Sequence, residues 1–171
     1  TAGKVAVAVT SRPAAPSPKI QVKVIPYKTD EATGRPIIPT GYKPAADEEY
    51  MSALQLEYFR QRLLGWRADL IEESKQTIEN LKDEVRDVGD DAERATRETE
   101  NSLELRTRDR YRKLLAKIEA ALDRIAEGSY GYCEETGDPI SLKRLDARPI
   151  ATLSIEAQER HERRERVYRD D

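Results

Sequence analysis

The sequence predicts a mainly α-helical protein: a long antiparallel coiled-coil hairpin, a small globular knuckle with zinc-finger-like spacing but no metal, and a C-terminal helix. Three observations predict this class. Charged and hydrophobic residues each make up 37% of the 171 residues, and this is a low apolar content for one large core. Residues 47–127 contain no proline and only two glycines. Apolar residues also recur at heptad spacing in two stretches of this region.

Residues 1–46 are predicted to form a flexible arm. They contain seven of the nine prolines, seven Lys or Arg and two Asp or Glu, a net charge of +5, while the rest of the chain carries a net −8. Within the arm, residues 20–27 (IQVKVIPY) alternate apolar and polar side chains, as an edge strand does. A disordered tail is the alternative, and the sequence assigns the arm no role.

We expect residues 47–64 to form a helix of the globular base and residues 65–127 to form the hairpin. Asp47 is the predicted N-cap, because its carboxylate can accept hydrogen bonds from the free N–H groups of a first turn. Gly65 marks either a bend or a tolerated helical glycine. Apolar residues seven apart predict the coiled-coil seam of the first helix. They are Leu64, Ile71, Ile78 and Val85.

The second helix has the same heptad character and ends before Gly128, a residue suited to the position after a helix. Its predicted seam follows a 4-3-4-3 rhythm: Tyr111, Leu115, Ile118, Leu122 and Ile125. Two such helices joined by a very short turn must fold back on each other, with the tip at residues 88–93. At ~1.5 Å per residue, the 92–127 helix is roughly 50 Å long. We therefore expect the hairpin to carry its tip to a distant site.

Residues 128–171 are predicted to form a knuckle and a final helix whose N-cap is Ser154. Positions 133, 136, 154 and 157 have the spacing of a four-cysteine zinc site. They hold Cys133, Thr136, Ser154 and Ala157, of which only the cysteine can supply a thiolate. We therefore expect no bound metal and a knuckle that is held by packing.

Several classes of protein are disfavoured by composition. No stretch approaches the ~20 apolar residues of a membrane span, and a single cysteine cannot form an intrachain disulfide. One histidine, one cysteine and no glycine-rich phosphate loop leave no recognisable catalytic set, so we do not expect an enzyme. A net charge of −3 argues against a protein whose main task is to neutralise phosphates. A cytoplasmic protein is the expectation that remains.

Three blocks, in order and with their spacing preserved, carry a resemblance to a known family. They are EEYMSALQLEYF (48–59), SLELRTRDRYRKLLAKIE (102–119) and YGYCEETGDPISLKRLDARP (130–149). Together with an acidic tip between the helices, they resemble the DksA/TraR family of bacterial transcription factors, in its cysteine-poor, zinc-independent form. The resemblance covers roughly residues 45–160. The added N-terminal arm, the C-terminal helix and the lost zinc ligands depart from the family pattern.

The resemblance implies a transcription regulator that binds bacterial RNA polymerase directly. It implies that the coiled coil enters the secondary channel and acts with ppGpp on promoter open-complex stability in the stringent response. It also implies a monomer without sequence-specific DNA binding or membrane association. The family's tip residues fall on Asp90, Glu93 (aspartate in the family) and Ala95. Helix capping by Asp90 and Glu93 is an alternative role that is compatible with the first.

Lys117 and Arg148 match family positions at the ppGpp and polymerase interface, while a third basic position is Gln158 here. An Arg fork and a Lys charge suit a polyphosphate, and the loss of one cation should weaken this attraction. A secondary-channel regulator that is independent of ppGpp is therefore an alternative. A structural coiled-coil adaptor is a further alternative, although the acidic tip offers few apolar residues. The regulated promoters are not defined by the sequence.

Overall fold

The computed structural model describes residues 21–86 and 93–169 of the chain. Two short strands and four helices form in these ranges. In chain order they are β1 (Lys28–Thr29), β2 (Pro36–Ile37), α1 (Ala53–Arg86), α2 (Glu93–Glu127), α3 (Leu142–Ala147) and α4 (Ile155–Arg169). The predicted mainly α-helical class is confirmed. Within the described ranges, no helix combines the length and apolarity needed to span a bilayer.

Residues 21–46 form a small hairpin and connecting loops that dock on α1. Strands β1 and β2 pair antiparallel, and Asp30 closes the turn between them by accepting a hydrogen bond from Ala32 N at 3.0 Å. Arg35 then lies 3.7 Å from the buried carboxylate of Glu57 on α1. In this described part, the predicted flexible arm is a folded segment held against the base. Residues 1–20 lie outside the described residues.

The edge strand that residues 20–27 could have formed is absent from their described part, residues 21–27. In the described part of this stretch, Lys23 forms only an isolated bridge with Glu48. Val22 and Val24 are 45% and 85% exposed. An alternating pattern forms a stable strand only where a partner strand and a core cover one face, and neither covers these valines.

Helix α1 begins at Ala53, so the prediction that Asp47 is the N-cap was wrong. Ser52 is the cap, because its hydroxyl accepts a hydrogen bond from Gln55 N at 3.3 Å. The Gln55 side chain reaches back to Met51 N at 2.9 Å, which completes a variant of the capping box. Met51 has φ of 50°, a left-handed backbone that cannot belong to the helix.

The two long helices form the predicted antiparallel hairpin. Thr77 lies beside Tyr111, with 3.3 Å between their hydroxyl oxygens, and further along α1 Leu81 shares a groove with Ala95. Residues later in α1 therefore contact residues earlier in α2, so the two helices are antiparallel. Helix α1 runs unbroken through Gly65, so the same helix belongs to both the base and the hairpin. Most of the predicted tip, residues 88–92, lies outside the described residues.

The most buried seam of α1 lies one residue before the predicted one. Leu63 and Leu70 are 0% and 4% exposed, whereas Ile71 is 39% exposed, and Leu64 and Ile78 are half-buried. The predicted register at residues 64, 71, 78 and 85 was therefore wrong for the described side chains, which do not include that of residue 85.

Phe59 explains which of the two apolar stripes of α1 faces inward. Its ring is 1% exposed and lies 5.6 Å from the ring centroid of Tyr130 in the base. Phe59 and Leu63 are four residues apart on one helix face. Because the helix is continuous, anchoring Phe59 in the base rotates Leu63 and Leu70 toward α2.

The seam of α2 is close to the prediction. Ile118 is fully buried, and the other four predicted residues are half-buried against the core, while Ala121 was missed although it is 0% exposed. Gly128 ends the helix with φ of 81°, and Arg124 O accepts hydrogen bonds from Ser129 N and Tyr130 N. This is the glycine C-terminus that the sequence predicts.

One core joins the hairpin to the knuckle. Tyr130 is its largest fully buried side chain, and its hydroxyl donates to Pro149 O at 2.7 Å. The other buried residues of this cluster are Phe59, Leu63, Leu70, Ile118, Ala121, Cys133, Ile140, Leu145, Ile150, Ala151 and Ala157. Arg62 and Asp146 form an ion pair between α1 and α3 at its edge.

Candidate functional site

The knuckle between α2 and α3 is a tight turn closed by backbone hydrogen bonds. Cys133 N donates to Asp138 O and Gly137 N donates to Cys133 O, each at 2.8 Å. Gly137 has φ of 74°, which favours glycine at the turn. Gly131 has φ of 91°, and a Cβ there would lie 2.9 Å from the Met51 side chain. The base therefore packs directly against the knuckle backbone.

The donor set of the knuckle does not fit a zinc ion. Cys133 and Ala157 are buried, at 2% and 0% exposure. The Ser154 hydroxyl accepts a hydrogen bond from Ala157 N at 3.3 Å and so caps α4 as predicted. The Thr136 hydroxyl accepts one from Asp138 N at 3.3 Å. In the described ranges, no three His, Cys, Asp or Glu side chains are grouped so that they could hold a metal.

Hydrogen bonds converge on the one remaining sulfur. Burial raises the pKa of the Cys133 thiol, but hydrogen bonds from the Thr136 hydroxyl and from the N–H groups of Ser154, Thr136 and Glu135 outweigh this effect and bring the pKa to about 7. These donors form an arrangement that stabilises a thiolate.

A cleft of about 160 Å³ lies between α2, α3 and the chain that enters α4. Lys117, Arg148 and Gln158, three positions that the resemblance assigns to one interface, all line this cleft. Their individual roles remain predictions. Two further cations, Arg124 and Arg144, also line it, and none of its lining residues in the described ranges is acidic. The arrangement therefore suits an anionic ligand.

Helix geometry places the two additional arginines. Arg124 lies two turns after Lys117 on the same face of α2, with the small Ala120 between them. Arg144 lies one turn before Arg148, and its Nε donates to Leu153 O at 2.8 Å, which holds the guanidinium at the cleft. The prediction from sequence missed both residues. The spacings i+7 from Lys117 and i−4 from Arg148 could have indicated them.

The residues predicted for the tip are only partly described. Asp90 lies outside the described residues. Glu93 is the first residue of α2 and forms an ion pair with Arg97, one turn along the helix. Ala95 is exposed and lines a groove of about 420 Å³ between the helices, together with Leu81 and Leu103. Glu93 and Ala95 therefore lie at the end of the hairpin that is far from the base.

Two protein-family models match the chain. The model described as DnaK suppressor protein DksA, N-terminal domain, matches residues 55–125. The model described as prokaryotic dksA/traR C4-type zinc finger matches residues 128–163. The first range covers the hairpin, and the second covers the knuckle and most of α4.

Curated proteins and a solved structure are similar over most of the chain. An RNA polymerase-binding transcription factor DksA from Caulobacter vibrioides is 59% identical over 130 residues, which are 76% of this chain and 92% of the relative. The protein of the same name from Escherichia coli K12 is 43% identical over 125 residues, 73% of this chain and 83% of the relative. The structure of transcription factor DksA2 from Pseudomonas aeruginosa has a TM-score of 0.62 and 45% identity, over 72% of this chain and 94% of that one.

Proposed function

This chain belongs to the DksA family, and on that basis we propose that it is a transcription regulator that binds bacterial RNA polymerase directly. The observation that carries the proposal is the 59% identity, over 92% of its length, to a relative named RNA polymerase-binding transcription factor DksA. Because the family models match the hairpin and the knuckle in turn, the chain shares more than a single motif with the family. The protein is a regulator and not an enzyme, and it acts in the cytoplasm, where its partner is found.

The hairpin enters the secondary channel of the polymerase, and the base remains at the rim. The 35 residues of α2 extend about 50 Å at 1.5 Å per residue. Two helices side by side are only about 20 Å across, so this part is long and narrow, whereas the base is broadened by α3, α4 and the N-terminal hairpin. Such a shape supports insertion to a depth that the base limits. Asp90, Glu93 and Ala95 then act at the inner end.

The cleft beside the base binds ppGpp at the polymerase interface. Lys117 and Arg148 attract its phosphates, because Lys and Arg offer charge-assisted hydrogen bonds to anions. Whole-ligand pockets usually measure about 300–1,000 Å³, and this cleft is about 160 Å³. The chain therefore supplies one wall and the polymerase supplies the other. Gln158 in the cleft favours a second candidate, a secondary-channel regulator that acts without ppGpp.

The knuckle works without zinc. Its positions Cys133, Thr136, Ser154 and Ala157 offer one thiolate in place of four, and structural zinc sites need four ligands. Hydrogen bonds, the α4 cap and the buried side chains around Tyr130 hold the fold instead. The protein binds polymerase as a monomer and makes no sequence-specific contacts with DNA.

The test is transcription by purified bacterial RNA polymerase from a promoter with a short-lived open complex. Wild-type protein is titrated with and without ppGpp, beside the variants Asp90→Asn and Asp123→Asn. Asp123 is an exposed carboxylate at the base end of α2, and it provides the same chemical change far from the tip. Binding to polymerase is measured separately for each variant.

We expect the wild type and Asp90→Asn to bind polymerase equally, and only Asp90→Asn to lose the shortening of open-complex lifetime. Asp123→Asn should behave as the wild type. An effect of wild type that is equal with and without ppGpp would favour the second candidate. A wild type that neither binds polymerase nor changes the lifetime would contradict the proposed function and leave the adaptor alternative.

A further inference from the structure

We infer that Arg124 is an anion-binding residue of the basic cleft. Its guanidinium turns from Glu134 to a phosphate group of the ligand, and it thereby supplies the positive charge that Gln158 lacks. The inference rests on the proposed function, since it concerns the same ligand site. It adds a residue that the resemblance does not assign and a rearrangement of that residue on binding.

Three of the four cations of the cleft have no carboxylate partner in the described part of the chain. Lys117, Arg144 and Arg148 line it, and within the described ranges none of them has a carboxylate at salt-bridge distance. Arg144 is oriented by a neutral carbonyl, that of Leu153. Cations that share a small concave site repel one another unless an anion joins them. A ligand with closely spaced phosphates is the chemical class that would satisfy all of them.

Arg124 is poorly satisfied where it lies. Its Nη1 is 3.9 Å from the Glu134 carboxylate, which is too far for a hydrogen bond. Its Nη2 is buried and has no hydrogen-bond partner. A buried donor without a partner is costly, so the guanidinium loses little when it leaves this position. Its side chain remains 19% exposed, at a cleft that Gln158 also lines.

The geometry of α2 allows the movement. Arg124 and Lys117 are seven residues apart on the face that borders the cleft, and Ala120 between them leaves space above the helix. Glu134 is 60% exposed in its side chain, so water can solvate its carboxylate once Arg124 has turned away. A guanidinium in the cleft would donate two parallel, charge-assisted hydrogen bonds to a phosphate. The amide of Gln158 is neutral and cannot supply this charge.

The experiment measures the ppGpp binding that this protein adds to purified bacterial RNA polymerase, with radiolabelled ppGpp. Polymerase binding without ppGpp is measured first for every variant. The variants are Arg124→Gln, Arg124→Lys, Glu134→Gln and the double variant Arg124→Gln/Glu134→Gln. Arg163→Gln is the matched control, since Arg163 is an exposed arginine of α4 that forms an ion pair with Glu159.

We expect Arg124→Gln to lower the added ppGpp affinity about tenfold or more, as loss of a charge-assisted hydrogen bond does, with polymerase binding unchanged. Arg124→Lys should restore part of the affinity. Glu134→Gln should raise the affinity by freeing Arg124, and this gain should disappear in the double variant. A merely structural Arg124 would not couple to Glu134 in this way.

Three results would overturn the inference, and they are distinguishable. If wild type binds polymerase and ppGpp while Arg124→Gln binds both equally well, Arg124 does not contact the ligand and the proposed function stands. The same holds if Glu134→Gln raises the affinity equally in both backgrounds, because its effect is then general electrostatics. If wild type does not bind polymerase, the proposed function fails and the inference fails with it.

Discussion

Replacement of Leu63 by alanine tests the rotation of α1 within the hairpin. Leu63 is 0% exposed, and its neighbour Leu64 is half-buried, so Leu64→Ala is a control with the same chemical change one residue away. The heptad pattern read from sequence favours Leu64 as the seam residue, and the structure favours Leu63. If the structure is right, Leu63→Ala should lower the stability more than Leu64→Ala. If the heptad register is right, the order should be reversed.

The expected magnitudes follow from burial. Leu→Ala at a fully buried site removes the transfer free energy and leaves a cavity, at a cost of about 2–5 kcal/mol in the free energy of unfolding. At half-buried Leu64 the lost contact is smaller, and about 1 kcal/mol is expected. Leucine and alanine are both strong helix formers, so the difference between the variants reports packing rather than helix propensity.

Thermal unfolding followed by circular dichroism at 222 nm measures the difference. For a chain of this size, 1 kcal/mol corresponds to about 2–4 °C in Tm. A loss of about 3 kcal/mol at Leu63 should lower Tm by about 6–12 °C, and Leu64→Ala should lower it by about 2–4 °C. The pair Leu70→Ala and Ile71→Ala repeats the comparison one heptad later, at 4% and 39% exposure.

An equal or larger loss for Leu64→Ala would refute the reasoning. It would mean that the stripe of residues 64, 71 and 78 faces α2, as the heptad pattern alone predicts. Phe59 would then be unable to set the rotation of the helix through its contact with Tyr130.

Other predictions concern the cap, the thiol, the metal and the middle of the hairpin. Ser52→Ala should destabilise the protein by about 1 kcal/mol in urea unfolding, and an equal loss for Asp47→Ala would contradict the observed cap. The thiolate absorbance of Cys133 at 240 nm should titrate near pH 7, and Thr136→Val should move this pKa upward. Because the folded pKa of Cys133 lies below the unfolded one, its thiolate stabilises the fold above about pH 8.5, and this contribution is lost as the pH falls through 7. The Tm of the wild type should therefore rise more from pH 7 to pH 9 than the Tm of Cys133→Ser. EDTA should leave Tm unchanged, and a fall would show a structural metal. Tyr111→Phe should cost about 1 kcal/mol, since the Tyr111 hydroxyl donates to Glu73 at 3.1 Å and lies 3.3 Å from that of Thr77; no loss would contradict this link between the helices.

The parts of the candidate site that lie in short sequence motifs could be predicted from sequence. Cys133, Thr136, Lys117 and Arg148 fall within the blocks that carry the family resemblance, and the spacing of positions 133, 136, 154 and 157 shows which residues stand where a four-cysteine site would have its ligands. Arg124 and Arg144 were missed, although their helical spacing from Lys117 and Arg148 could have indicated that they share the cleft. The pairing of Arg124 with Glu134 across the knuckle was not visible in the sequence, since the two residues belong to different elements.

The hairpin, the end of α2 at Gly128 and the cap of α4 at Ser154 could all be predicted from local sequence patterns. These features depend on helix propensity, heptad spacing and residues next to a helix end, all of which act within a few positions along the chain. Tertiary structure decided the rest: which apolar stripe of α1 faces inward, where the described part of the N-terminal segment docks, and which cations share the cleft. Each of these depends on contacts between residues far apart in sequence, such as Phe59 with Tyr130 and Arg35 with Glu57. A local pattern offers several equivalent faces, and only packing against a distant partner selects one of them.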